Sequence, residues 1–278
     1  MTQTKRAPAS GTAAVAAAAL AALAVTAFAA GCAGTPAGPT ATPTASVSAS
    51  RAAPSPGPGT GPRTIADPYA PTIDPSAFST TVDNPYFPLV PGTRTISEAA
   101  TPEGRQRTTV EVTRDTKKIM GVDTVVVHDF VTLDGKPYED TFDWYAQDRD
   151  GNVWYFGEAT KEFRDDGTVD TKGSFEAGVD GAQPGIIMAG RPQVGDQYRQ
   201  EYAKGIAEDT GEVLSLTGSE TTPLTGATKD MIVTKDLNLL DPTGPIENKY
   251  YARGVGLVLT LHVTGPAERD QAIAMEKF

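Results

Sequence analysis

Cysteine is nearly absent from this chain of 278 residues: Cys32 stands alone, and the only histidines are His128 and His262. One cysteine cannot close an internal disulfide or build a thiolate metal cluster. Both histidines fall inside runs that read as strands, where they are packing or surface side chains rather than ligands. The nucleophile elbow Gly-x-Ser-x-Gly, the zinc motif His-Glu-x-x-His and the phosphate loop Gly-x-x-x-x-Gly-Lys are missing. The sequence therefore assigns no catalytic residue, no metal and no cofactor. Basic charge is scarce too, with 24 Lys and Arg against 35 Asp and Glu and a net charge of -11. That balance excludes nucleic acid, whose phosphates must be neutralised, and a basic face for docking on anionic lipid. No amphipathic helical pattern of three turns occurs beyond residue 64.

What is present begins with a targeting signal. Lys5 and Arg6 precede an alanine-dominated apolar run over residues 12–30, closed by Ala29-Ala30-Gly31-Cys32. Residues 1–31 read as a secretory signal peptide. Its end resembles a bacterial lipobox, in which the cysteine becomes the first mature residue and is diacylated, palmitate being a typical chain. The usual leucine three places before the cysteine is Ala29 here. A signal cleaved without lipidation and a retained membrane helix are the alternatives. Residues 32–63 are Cys32 followed by Ala, Pro, Thr, Ser and Gly almost throughout, a composition that cannot bury a core. Such a tether lets a domain float roughly 30 Å from its lipid. The expected place is the extracytoplasmic face of the cell membrane, with the lipid anchor at Cys32 as the membrane contact. Nothing designates a protein partner.

Residues 64–278 read as a single all-β domain with few or no helices. Asp74 as N-cap and Pro75 after it predict one helical turn. The proline-rich run 84–93 is extended, and Tyr86, Phe87 and Leu89 pin it to the domain. Strands are expected at 93–98, 105–115, 123–133, 138–147, 152–163, 197–203, 212–216, 229–239, 248–253 and 256–263. A last run, 271–276, reads as an edge strand or a short helix. Met120-Gly121, Asp134-Gly135, Asp150-Gly151, Asp166-Gly167 and Thr225-Gly226 mark turns. Asp148-Arg149-Asp150-Gly151-Asn152 imitates the start of a calcium loop, but it lacks the later glutamate and reads as a tight turn.

The strands fall into two meander repeats, about 91–158 and 194–263. Gly121 followed by Val125-Val126-Val127 matches Gly226 followed by Met231-Ile232-Val233, and Trp144-Tyr145-Ala146 matches Tyr250-Tyr251-Ala252. The fold predicted is an antiparallel curved sheet, a half-barrel or a sandwich. Between the repeats lies a glycine-rich loop, 172–195. It is either functional or a crossover in which Ile186 and Met188 cap an open end of the sheet.

Four phrases recur in a recognisable order: NPYFPLVPGT, DWYAQDRDGNVWYFGE, SFEAGVDGAQPGI and KYYARGVGLV. Over about residues 82–263 this order resembles a family of uncharacterised secreted lipoproteins of high-GC Gram-positive bacteria. Residues 251–258 also resemble the closing hairpin of envelope proteins with half-barrel sheets, including lipoprotein-carrier-like folds. Neither resemblance implies a catalytic residue.

Both tryptophans, with Phe156 and Tyr250, cluster in the matched hairpins. Aromatic residues on strands usually serve as core, yet the concave face of a half-barrel must be filled by side chains, a partner or a ligand. The leading expectation is a binding protein, not an enzyme, that takes an apolar or amphipathic small molecule or lipid. Its candidate ligand-binding residues are Trp144, Trp154, Phe156, Ile186, Met188 and Tyr250. A structural envelope lipoprotein with no small ligand is the alternative. A wall-acting hydrolase built on carboxylates such as Asp143, Glu158, Glu201 and Asp209 is the third reading.

Overall fold

The computed structural model describes residue 65 and residues 68–278. The expected signal peptide, the expected lipid anchor at Cys32 and the expected tether, 32–63, therefore lie outside the described residues. Asp74 caps a single 3-10 turn, Pro75–Ala77, by accepting the Ser76 N–H at 3.0 Å. Among the described residues everything else regular is strand. The first half carries β1 (Phe78–Ser79), β2 (Thr93–Thr101), β3 (Gly104–Ile119), β4 (Val122–Leu133), β5 (Lys136–Asp148) and β6 (Val153–Phe163). Three short strands follow: β7 (Val169–Asp170), β8 (Phe175–Glu176) and β9 (Gln183–Met188). The second half carries β10 (Gln197–Arg199), β11 (Glu201–Tyr202), β12 (Asp209–Thr222), β13 (Gly226–Asn238), β14 (Glu247–Ala252), β15 (Gly256–His262) and β16 (Arg269–Lys277).

Local chemistry explains the hairpins. Met120 and Gly121 have φ of 48° and 82°, and Asp134 and Gly135 have 49° and 78°. Two successive positive φ values make the mirror-image turn that suits the twist of paired strands. Along β4, Val125, Val127 and Val131 are buried at every second place, so one face of the strand is committed to the interior.

The sheet is antiparallel throughout the described pairings and runs β10-β12-β13-β14-β15-β16-β2-β3-β4-β5-β6-β9-β11. The expected edge strand or helix at 271–276 is instead β16, the seam between the halves, paired with β15 on one side and β2 on the other. The outer ends of the sheet meet through one short run of chain: Arg199 of β10 pairs with Thr210, and Glu201 of β11 pairs with Pro184. Gln200 is the hinge between them, and the sheet is nearly closed into a barrel. At this closure a Cβ on Gly185 would lie 2.2 Å from the Gln200 carbonyl oxygen, so glycine is required.

The expected long loop at 172–195 contains β9, which pairs with β6. Its residues are buried on both faces, so it carries no alternation to read in sequence.

The two meanders share a register. Val125 pairs with Tyr145 in the first and Ile232 with Tyr251 in the second. Each tyrosine then faces the strand that follows, Tyr145 opposite Tyr155 and Tyr251 opposite Leu257, with a bulge beside it. In the first meander the bulge contains Gly157, at φ 122°, where a Cβ would strike the Phe175 carbonyl oxygen at 2.2 Å.

The main core lies inside the curve. It gathers Val112, Val125, Val127, Tyr145, Tyr155, Ile187, Tyr198, Ile232 and Tyr251. Trp144, Ala146 and Phe156 belong to a separate cluster with Ile119 and Val122, closed over by Ile73 and Phe78. Alternation therefore holds as expected, but its direction is opposite: Tyr145 and Tyr251 face the interior, while Trp144 and Tyr250 face the other side.

Candidate functional site

A strap of chain crosses one end of the barrel. The Asn84 side-chain amide donates to the carbonyl oxygens of Gly151 at 2.9 Å and Ala189 at 3.3 Å. The next residue, Pro85, accepts the Gly254 N–H at 2.6 Å. Gly151 and Gly254 sit in the β5–β6 and β14–β15 turns, so the strap ties the corresponding turns of both meanders together. The strap is a tight turn rather than the extended run expected for 84–93, because Asn84 closes it. Its carbonyl accepts the Phe87 N–H at 3.1 Å, and its side chain accepts the Tyr86 N–H at 2.9 Å. Val82 bridges Leu89, which leaves the Phe87 ring against the two inner tyrosines.

Beneath Phe87 and Leu89 lies a cavity of about 140 Å³. Its walls come from β2, β3, β4, β5, β15 and β16. One part is apolar: Val110, Val112, Val127, Tyr145 and Leu257, with Met275 exposed at the rim. The other part is polar and acidic: Ser97, Thr108, Asp129, Asp143 and Asp270. Asp270 accepts from the Ser97 hydroxyl at 3.0 Å through Oδ2. Asp143 accepts from the Tyr155 hydroxyl at 2.6 Å.

The acidity continues behind the cavity wall. The Tyr155 hydroxyl stands 2.6 Å from Asp143 and 2.9 Å from Glu158. It has one proton to donate, so the second carboxyl must hold a proton of its own to complete the pair. Burial, reinforced by Asp143, holds Glu158 well above the usual carboxylate range. Burial likewise lifts Asp143 to about 7 against the opposing Tyr155 hydrogen bond, and lifts Glu139 to about 7 and Asp270 to about 6. Asp129 is raised well above its ordinary value by burial and then by Asp143, Glu139 and Asp270.

The residues singled out in sequence are placed elsewhere. Trp144 and Phe156 come together outside the curve with Trp154, which also packs against the main core, and the Phe78 ring is 6.0 Å from Trp154 and 5.5 Å from Phe156. Ile186 and Met188 are in the main core, and Tyr250 packs against a third cluster in the second meander. None of the six lines the cavity. Asp148 accepts the N–H groups of Asp150 and Asn152, both at 2.9 Å, and the Trp154 indole N–H at 2.8 Å, so it knits its own turn. Among the described residues no three His, Cys, Asp or Glu converge as a metal cage.

Asp129 was missed in sequence although it left a signal. It sits in phase with Val125, Val127 and Val131, at an inward position that a valine would otherwise hold. Asp270 left none, because the apolar residues of β16, Ala272 to Met275, are consecutive and set no phase.

No family model and no curated protein matches this chain. Two crystal structures resemble it. One is a candidate exported protein with a YmcC-like fold from Bacteroides fragilis, 14% identical, covering 69% of this chain and 99% of its own, at a TM-score of 0.37. The other is a candidate lipoprotein from Parabacteroides distasonis, 11% identical, covering 69% and 98%, also at 0.37. Likeness at this level transfers no role from one chain to another.

Proposed function

We propose that this chain is a lipid-anchored extracytoplasmic binding protein, not an enzyme, whose half-barrel takes the apolar or amphipathic part of a small molecule. The observation that supports it is the cavity beneath Phe87 and Leu89, apolar at one side and polar at the other. Closed domains pack to crystal density and leave few voids of this size. The cavity's 140 Å³ is close to the about 150 Å³ of an engineered apolar cavity that holds benzene. The anchor rests on Gly31-Cys32 and the tether composition, and membership of the Gram-positive lipoprotein family rests on the four sequence phrases.

Native mass spectrometry of the full chain, purified from its own host, tests the reading. The expected result is an added mass that is released on denaturation and lost in Val110→Trp, which fills the apolar side. A bare mass in the wild type favours the structural lipoprotein with no small ligand.

A further inference from the structure

The two meanders differ at one point where their registers agree. In the second, Thr234 pairs with Lys249, and Asp236 lies two residues along the same strand. Lys249 is 5% exposed, and its Nζ stands 2.9 Å from Asp236 and 3.4 Å from Glu247. Asp236 also accepts from Thr234 at 2.7 Å and Gln200 at 2.9 Å. The buried acid there is fully paired, and its cation comes from the chain.

Counting from the matched tyrosines, the first meander places Asp143 where the second has Lys249. Asp129 occupies the place of Asp236. The lysine has become a third kind of contact, another carboxylate, and this is where the cavity opens. The groups acting on Asp129 are Asp143, Glu139 and Asp270; on Asp143, Tyr155 and Glu139; on Asp270, Ser97, Glu247 and its own neighbouring backbone. No Lys, Arg or His is among them. Three residues that line the cavity each carry a buried polar atom with no hydrogen-bond partner among the described residues: Oδ1 of Asp129, Oδ1 of Asp270 and Oγ1 of Thr108. Their side chains are 7%, 6% and 3% exposed. Buried acceptors of this kind are costly unless a donor reaches them, and a positive donor serves them best.

Resting on the small-ligand reading above, we infer that the ligand is an amphipathic amine whose ammonium group sits among Asp129, Asp143 and Asp270, as the Lys249 ammonium sits between Asp236 and Glu247. Its apolar part, about the size of one aromatic ring, lies against Val110, Val127 and Leu257. An ammonium has three donors and no acceptor, and its charge draws these buried acids into the ionised, acceptor-only form. Charge makes the choice among amphiphiles: a fatty acid would bring a fourth carboxylate to three.

The test titrates the full chain calorimetrically at pH 7 with three probes of equal size: benzylamine, benzyl alcohol and benzoate. Benzylamine is expected to bind at least ten-fold more tightly than benzyl alcohol, with no binding of benzoate. Asp129→Asn should weaken benzylamine at least ten-fold and narrow its advantage over the alcohol. Asp143→Lys, which sets a chain ammonium beside Asp129 as Lys249 sits beside Asp236, should abolish benzylamine binding. Equal binding of amine and alcohol overturns the charge assignment and leaves the small-ligand reading standing. Binding of none of the three overturns both.

Discussion

Tyr145 and Tyr251 occupy matching places in the two meanders, and a single ring, that of Phe87, contacts both, with centroids 5.6 Å and 6.3 Å away. The strap is thus fastened by tilted ring contacts at its centre as well as by hydrogen bonds at Asn84 and Pro85. Phe87 is partly buried, so Phe87→Ala should cost near the lower end of the roughly 3–5 kcal/mol of a core phenylalanine truncation. The urea midpoint reads this. The same variant should widen the cavity and weaken ligand retention in native mass spectrometry.

Trp144 and Tyr145 are neighbours in sequence with separate duties. Trp144 packs outside the curve with Ile119, Val122 and Phe156 and carries the Lys117 ammonium 3.3 Å from its ring centre. Trp144→Ala should lose about 3–5 kcal/mol of stability. Measured where it remains folded, it should bind ligand as the wild type does. Tyr145→Leu should be the milder change in stability and the more severe in binding, because Tyr145 lines the cavity. Denaturant unfolding and ligand titration of both variants separate the two roles.

Buried acids give stability a characteristic pH dependence. In the folded chain Glu139, Asp143 and Asp209 are lifted to about 7 and Asp270 to about 6, chiefly by burial. Between about pH 4 and 7 the folded state therefore binds more protons than the unfolded chain, and stability falls as pH rises through that window. Glu98 and Asp170 are shifted down, held by Arg105 and by the Lys172 backbone respectively, and act in the opposite sense only below about pH 4. The urea midpoint should be higher at pH 5 than at pH 8. Tyr155→Phe removes the hydroxyl shared by Asp143 and Glu158 and should cost about 1–3 kcal/mol at either pH. A midpoint that is flat or climbs from pH 5 to pH 8 would contradict protonated acids inside the sheet.

Lipidation is checked at Cys32. Metabolic labelling with an alkyne fatty acid should tag the wild type and leave Cys32→Ala unlabelled and released from the membrane fraction. Equal labelling of the two would end the lipoprotein assignment.

Much of the fold was legible because its signals are local. Asp-Gly and Met-Gly turns fix where hairpins bend, and Val-rich alternation fixes the strands between them. Period-two alternation separates Trp144 from Tyr145, but it does not say which of them faces inward. That was decided by the strap, since Phe87 covers the side that holds Tyr145 and Tyr251. The size of tryptophan argued for the wrong face, because Ile73 and Phe78, far back in the chain, bury Trp144 from outside. Closure through Gln197–Tyr202 was invisible for a similar reason. Two pairings on either side of Gln200 are set by distant partners, Thr210 and Pro184. The cavity's acids were the least readable, because isolated carboxylates look solvated until a sheet curls around them.

The strap also fixes an order of events. Asn84 reaches Gly151 across 67 positions and Ala189 across 105, and Pro85 waits for Gly254 in the second meander. Contacts so remote in sequence form late, after loop-closure entropy has been overcome. The roof over the cavity leaves the ribosome before either meander, yet its contacts need residues from both. During that interval the chamber is an open bowl, and a molecule can be enclosed by the final step of folding rather than threaded through a finished wall.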